Sequence, residues 1–217
     1  LPSGRPAIPL DRILSAALRI ADEEGTQALT MRRLASELNS STAMLYRHFE
    51  SRADLVLQIV DYVFKEAELS NSPLPQTDWR QACRSLARRM FAVLGQHRGV
   101  AQLLLEATPN GPHAMALRER ALAMMLDNGF APPLAARTYA TLARFVLGFA
   151  IQIGEQSAAA GEDAAQSAAF HQLDRTAFPA TLALANELPV PLEEEFAFGL
   201  DLMIAGLDLL RADGRER

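Results

Sequence analysis

Apolar residues recur at helical spacing along almost the whole chain, and no run of strict apolar–polar alternation is bounded by hairpin turns, which predicts an all-α protein. The first helix is expected over Leu10–Glu24, with Ile13, Leu14, Ala17, Leu18 and Ala21 on one face and Gly25 as its stop. Thr30 then caps a short helix carrying the stripe Met31, Leu34, Ala35 and Leu38. Asn39 and Ser40 turn the chain, and Ser41 caps a third helix over 42–49 that points Leu45 and Phe49 at one core. A longer helix is expected over 52–69, followed by a proline-containing linker at 70–77 that separates a unit of residues 1–69 from a larger one of 78–217. The larger unit is expected to hold helices near 78–97, 100–107, 112–128, 132–154 and 192–211, with a weaker piece at 178–186. The stretch 156–172 is rich in Ala, Gly and Ser with little bulk to bury, and is expected to be a mobile loop or a weakly held helix.

Composition narrows the function classes. With 217 residues, 49% of them hydrophobic, the chain has material for a substantial core. The single cysteine, Cys83, excludes an internal disulfide framework and suits a reducing compartment, so a cytoplasmic location is expected. The most apolar run, 139–154, is shorter than a bilayer span and contains Arg144, and the first residues do not resemble a signal peptide, so no membrane role is expected. Catalysis is not expected either, and no cofactor or metal is implied. There is no phosphate-binding glycine loop or zinc-spaced His/Cys set, and His48, His97, His113 and His171 are scattered without a nucleophile motif. A net charge of −5 argues against binding nucleic acid through bulk positive charge. Position matters more than the total, because residues 26–52 carry Arg32, Arg33, Arg47 and Arg52 against only Glu37 and Glu50.

Two short helices joined by a tight turn, the second opening with small polar residues, suit insertion of the second helix into a DNA major groove. Geometry alone is equally served by three packed helices with no DNA role. The residues decide the matter. Leu29-Thr30-Met31-Arg32-Arg33-Leu34-Ala35, Leu38-Asn39-Ser40-Ser41, Leu45-Tyr46-Arg47-His48-Phe49 and Arg52 closely resemble the helix-turn-helix signature of the TetR family of transcriptional regulators. Asn39 stands where glycine is commoner in the family, a mild departure because Asn tolerates a left-handed turn. The resemblance puts Thr30, Tyr46, His48 and Arg52 on phosphates, and makes Arg32, Thr42, Ala43, Met44 and Arg47 candidates for base edges, with Ser41 at the head of the same helix. Arg5, in a Gly-Arg-Pro arm, is a candidate for a minor groove or for plain solvent exposure.

Residues 79–109, the pair Gly129-Phe130 and the segment from Phe196 to Asp208 resemble the tetracycline-repressor-type C-terminal domain of the same family. That resemblance implies a homodimer in which the helix near 131–154 and the final helix pack with their copies as a four-helix bundle. Phe198, Leu202, Ile204 and Leu209 put more apolar surface on the final helix than one stripe needs, and Gly199 and Gly206 would allow close helix approach. A fully buried helix in a monomer is the alternative.

Members that respond to tetracycline hold a magnesium-chelated drug through a histidine and, from the opposing subunit, a glutamate. The matching positions here are Leu104 and Gln152, so chelate binding is not expected. Two further drug-contacting positions correspond to Glu68 and Leu86. A persisting pocket is expected to be lined by Met90, Leu104, Ala107 and Tyr139, with Glu68 and Gln152 as polar candidates, which suits a largely apolar effector; core packing is the other reading of the apolar members. Taken together, the resemblance implies a ligand-responsive repressor that binds palindromic operator DNA as a homodimer, with an unknown small-molecule effector.

Overall fold

The computed structural model describes residues 8–69, 78–156 and 162–213, which form helices and connecting turns with no strand among them. In chain order the helices are α1 (Leu10–Glu24), α2 (Met31–Glu37), α3 (Thr42–Leu45), α4 (Arg52–Leu69), α5 (Trp79–Gln96), α6 (Arg98–Glu106), α7 (Pro112–Asp127), α8 (Pro132–Gln156), α9 (Glu162–His171), α10 (Pro179–Ala183) and α11 (Leu192–Asp213). The expected linker at 70–77 and the Arg5 arm lie outside the described residues.

Local signals account for the first three helices. α1 buries Ile13, Leu14, Ala17, Leu18 and Ala21 as one face and ends at Gly25, whose φ of 87° is open to glycine. The Thr30 hydroxyl accepts from the Arg33 amide at 3.1 Å, and the Ser41 hydroxyl accepts from the Met44 amide at 3.3 Å, so both predicted caps form. Between them Asn39 adopts φ 49°, the left-handed turn its side chain tolerates. α3 is shorter than the sequence suggests. After Leu45 the backbone tightens, with Arg47 N donating to Met44 O and His48 N to Leu45 O, so residues 46–48 form turns while Leu45 and Phe49 remain fully buried.

α4 joins the two halves of the molecule. Leu55, Val56 and Ile59 pack into the core under α1, and the helix also contacts α5, α6 and α7. Asp61 on α4 accepts from the amides of His113 and Ala114, both at 3.0 Å, satisfying the first turn of α7. Asp22 of α1 does the same for α6, accepting from Gly99 N at 2.8 Å. Here α1 and α6 nearly touch: a Cβ on Gly99 would lie 2.5 Å from the Ala21 carbonyl. His97, at the α5–α6 junction, meets Asp22 at 3.1 Å through Nδ1 and Glu66 of α4 at 3.0 Å through Nε2.

Beyond that junction α5, α8 and α11 pack around aromatic rings. Phe196 stacks on Phe91 at 4.1 Å and on Phe145 at 5.3 Å, and meets Phe149 edge-on. Gly199 lies where a Cβ would meet Phe145, so its smallness serves the approach of α11 to α8 within one chain. A Cβ at Gly206 would meet nothing within 4 Å, so this glycine sits on the open side of α11 near exposed Leu202 and Leu209. Arg80 and Arg84 of α5 pair with Asp208 and Asp201 of α11. Residues Pro132–Ile153 of α8 are long and apolar enough to cross a bilayer, longer than the run expected from sequence. Here that helix instead packs against α5, α6, α7 and α11. The Ala-rich stretch from 162 onward, expected as a loop or a weakly held helix, forms α9, in keeping with the high helix propensity of alanine.

Candidate functional site

The candidate DNA-reading surface consists of the first turn of α2 and of α3 with its following turns. Thr30, Arg32, Ser41, Ala43, Tyr46, Arg47 and His48 are exposed, Tyr46 at 55%, and Thr42 is half-buried. These residues present hydroxyl, imidazole and guanidinium donors on two consecutive elements, the groups that grip phosphates and read base edges. Their charge is modest. Arg33 is held by Glu24 at 2.6 Å and Glu37 at 2.8 Å, and these two carboxylates raise its pKa.

Two sequence expectations need correction. Met44 is only 7% exposed and packs in the core beside Leu45, so its side chain is not presented to a base. The Arg52 guanidinium is engaged within the protein: Nε donates to Leu29 O and Nη2 to Thr26 O, both at 3.0 Å, and Nη1 reaches Glu106 Oε2 at 3.2 Å. It braces the loop ahead of α2 and ties α4 to the end of α6, where the sequence suggested a phosphate contact.

A cavity of about 440 Å³ opens between α4, α5, α6, α7 and α8. Of the residues expected to line a pocket, Leu86, Met90, Leu104, Ala107 and Tyr139 all face it. Gln152 does not line it; it is exposed on α8 with its amide donating to Gly148 O. The Glu68 side chain lies outside the described residues. Cys83 also faces the cavity, and burial pushes its thiol up to about 11, which disfavours the thiolate.

Sequence reasoning missed the polar members. Glu106, Thr108, Arg118 and Arg144 line the cavity. Arg118 lies on α7 beside the buried stripe Ala114, Leu117, Ala121 and Met125, and that neighbourhood was the available signal. Arg118 Nε donates to Tyr139 Oη and its Nη2 to Pro109 O, both at 3.3 Å. Among the described residues no group of three or more His, Cys, Asp or Glu is placed to hold a metal ion.

Comparison with known proteins agrees with this architecture. Residues 13–59 match the bacterial regulatory proteins of the tetR family, and residues 72–210 match the tetracyclin repressor-like C-terminal domain. The HTH-type transcriptional repressor DrrR1 of Streptomyces coeruleorubidus is 29% identical over 97% of this chain and 81% of its own length. The crystal structure of apo ActR from Streptomyces coelicolor superposes with a TM-score of 0.83 at 32% identity, covering 97% of this chain and 99% of that one. ActR in complex with actinorhodin superposes with a TM-score of 0.81 at 32% identity, covering 94% and 98%. With both of its parts matched and the helix-turn-helix in place, the chain belongs to the TetR family of ligand-responsive, DNA-binding transcriptional regulators.

Proposed function

We propose that the protein is a homodimeric repressor that reads a near-palindromic operator and leaves it when a largely apolar molecule fills the cavity. The observation that carries this reading is Glu106, which lines the cavity and also holds Arg52, the residue bracing the reading head. Occupancy that shifts the end of α6 acts directly on the first turn of α4. The ActR–actinorhodin complex supports the reading, since a neighbour of this fold takes up an organic molecule. The division into a reading unit at 1–69 and a sensing unit at 78–217 belongs to the same proposal.

Pairing rests on the outer faces of α8 and α11. Phe198, Leu202 and Leu209 are 68%, 58% and 70% exposed, and a Cβ added at Gly148 or Gly206 would meet no other part of the chain within 4 Å. Such a face is best satisfied by its own two-fold copy. In a dimer the two α3 helices would enter successive major grooves, roughly 34–36 Å apart. Thr30, Tyr46 and His48 are proposed on phosphates, and Arg32, Thr42, Ala43 and Arg47 at base edges, with Ser41 opening α3.

Selecting binding sites from random duplex DNA tests the reading. Recovered sequences should contain inverted half-sites whose centres lie about one helical turn apart. Single, non-repeated sites would overturn the dimer geometry, and no enrichment at all would overturn the operator function.

A further inference from the structure

Two guanidinium groups face a largely apolar cavity, accompanied among the described residues by one carboxylate. The charged side chains lining the cavity are Arg118, Arg144 and Glu106. Glu106 is committed to Arg52 at 3.2 Å. Arg118 is held by neutral groups: the Tyr139 hydroxyl and the Pro109 carbonyl, each at 3.3 Å, and the Met115 thioether at 3.2 Å. None of these is a carboxylate. By contrast Arg19, Arg33, Arg80 and Arg84 each meet one among the described residues. Arg144, five residues after Tyr139 on α8, donates to the Ala140 carbonyl at 3.3 Å and meets no carboxylate among the described residues. A guanidinium has five N–H donors, so two on Arg118 remain to be used.

The rest of the lining offers soft and aromatic surface against which a ring system can pack. Met90, Met124 and Met125 supply soft, adaptable walls, Phe64 an aromatic one, and the Tyr139 ring carries the Arg118 guanidinium 5.8 Å from its centroid. A half-buried arginine with no counter-ion among the described residues, facing such walls, matches an anionic group on an aromatic body, because a charge-assisted pair is stronger than the neutral contacts now holding it.

We propose that the effector is an aromatic anion whose carboxylate, sulfonate or acidic hydroxyl seats on Arg118, with Arg144 adding positive potential at the rim. This deepens the ligand-release reading and rests on it, replacing "largely apolar" with apolar and singly anionic.

The experiment uses two probes with the same ring system, 1-anilinonaphthalene-8-sulfonate and the uncharged N-phenyl-1-naphthylamine, titrated by fluorescence into the full chain. The sulfonate should bind about tenfold tighter, the factor expected for one charge-assisted contact. Arg118→Gln should remove that advantage by weakening the sulfonate about tenfold while leaving the neutral probe within twofold, and Arg118→Lys should restore part of it. Ala140→Trp, or Leu105→Trp at the exposed rim should the first variant not fold, fills the cavity and should reduce binding of both probes. Equal affinities that Arg118→Gln leaves unchanged would overturn the anion proposal and leave the cavity reading standing. Probes that bind the occluded variants as well as the parent, or that bind none of the proteins, would overturn both.

Discussion

The carboxylate of Glu106 lies 3.2 Å from the guanidinium of Arg52, so the last residue of α6 is tied to the first residue of α4. Both side chains are more than a third exposed, so the ion pair itself adds little stability, under about 1 kcal/mol. The same guanidinium also satisfies the Thr26 and Leu29 carbonyls. Arg52→Ala should therefore destabilise the fold by about 1–3 kcal/mol, whereas Glu106→Gln should change it by less than about 1. Urea unfolding of the two variants measures the difference. With the Arg52 guanidinium already engaged by Thr26, Leu29 and Glu106, the slope of DNA affinity against salt should be the same in Arg52→Ala as in the parent, and a flatter slope would return Arg52 to the phosphates.

Tyr46→Phe combined with His48→Ala should weaken binding to operator and random DNA alike, since contacts to the backbone carry no sequence information. Arg47→Ala or Arg32→Ala should instead relax sequence preference, costing about 1–3 kcal/mol on the operator if a bidentate base contact is lost. Competition titrations with operator and scrambled duplexes separate the two classes.

His97 stands between Asp22 and Glu66, and the hydrogen bond to Asp22, with a second to Glu66, raises its pKa above the ordinary 6.5 against the opposing effect of burial. The charged imidazole is thus favoured in the folded protein. Its contribution to stability is complete below 6.5 and is lost as pH rises through the elevated folded value. Arg98 is adjacent in sequence, and Asp22 also accepts from Gly99 N, so the acceptor stays in place when the ring is neutral. His97→Gln should flatten the alkaline decline of the urea midpoint. A variant whose pH profile parallels the parent would remove His97 from that role.

Two glycine-to-alanine changes should have opposite signs. Alanine favours a helix interior over glycine by about 1 kcal/mol, but at Gly99 its Cβ would meet the Ala21 carbonyl at 2.5 Å, and forcing α6 off α1 costs about 1–3 kcal/mol. Gly99→Ala should be destabilising. A Cβ at Gly206 would meet nothing within 4 Å, so Gly206→Ala should stabilise the single chain while weakening association wherever a second copy packs there. Thermal unfolding together with sedimentation equilibrium reads both effects.

Much of the architecture was written locally. The Leu10–Glu24 helix was legible from one amphipathic face and a terminal glycine, and the tight turn from Asn39 flanked by the caps Thr30 and Ser41. The failures are non-local. Met44 and Leu45 are adjacent on a short helix, and periodicity cannot say whether one or both turn inward. The Arg52 partners lie 23 and 26 residues before it and 54 after it. Arg118 faces the cavity only because α7 and α8 bring it to Tyr139, 21 residues away.

The ion pairs of Arg33 and the engagement of Arg52 by Thr26, Leu29 and Glu106 have consequences away from the helices that contain them. With those two arginines engaged inside the protein and a net charge of −5, Arg32 and Arg47 are the arginines between residues 26 and 52 left free of ion pairs among the described residues to release counterions from arbitrary DNA. A chromosome is a vast competitor for any such reader, and a low affinity for random sequence limits how many copies that sink withholds. A reader of that kind would keep a large share of its copies free to sample the cognate site even at low expression, and its switching threshold would follow the effector concentration more than the size of the genome.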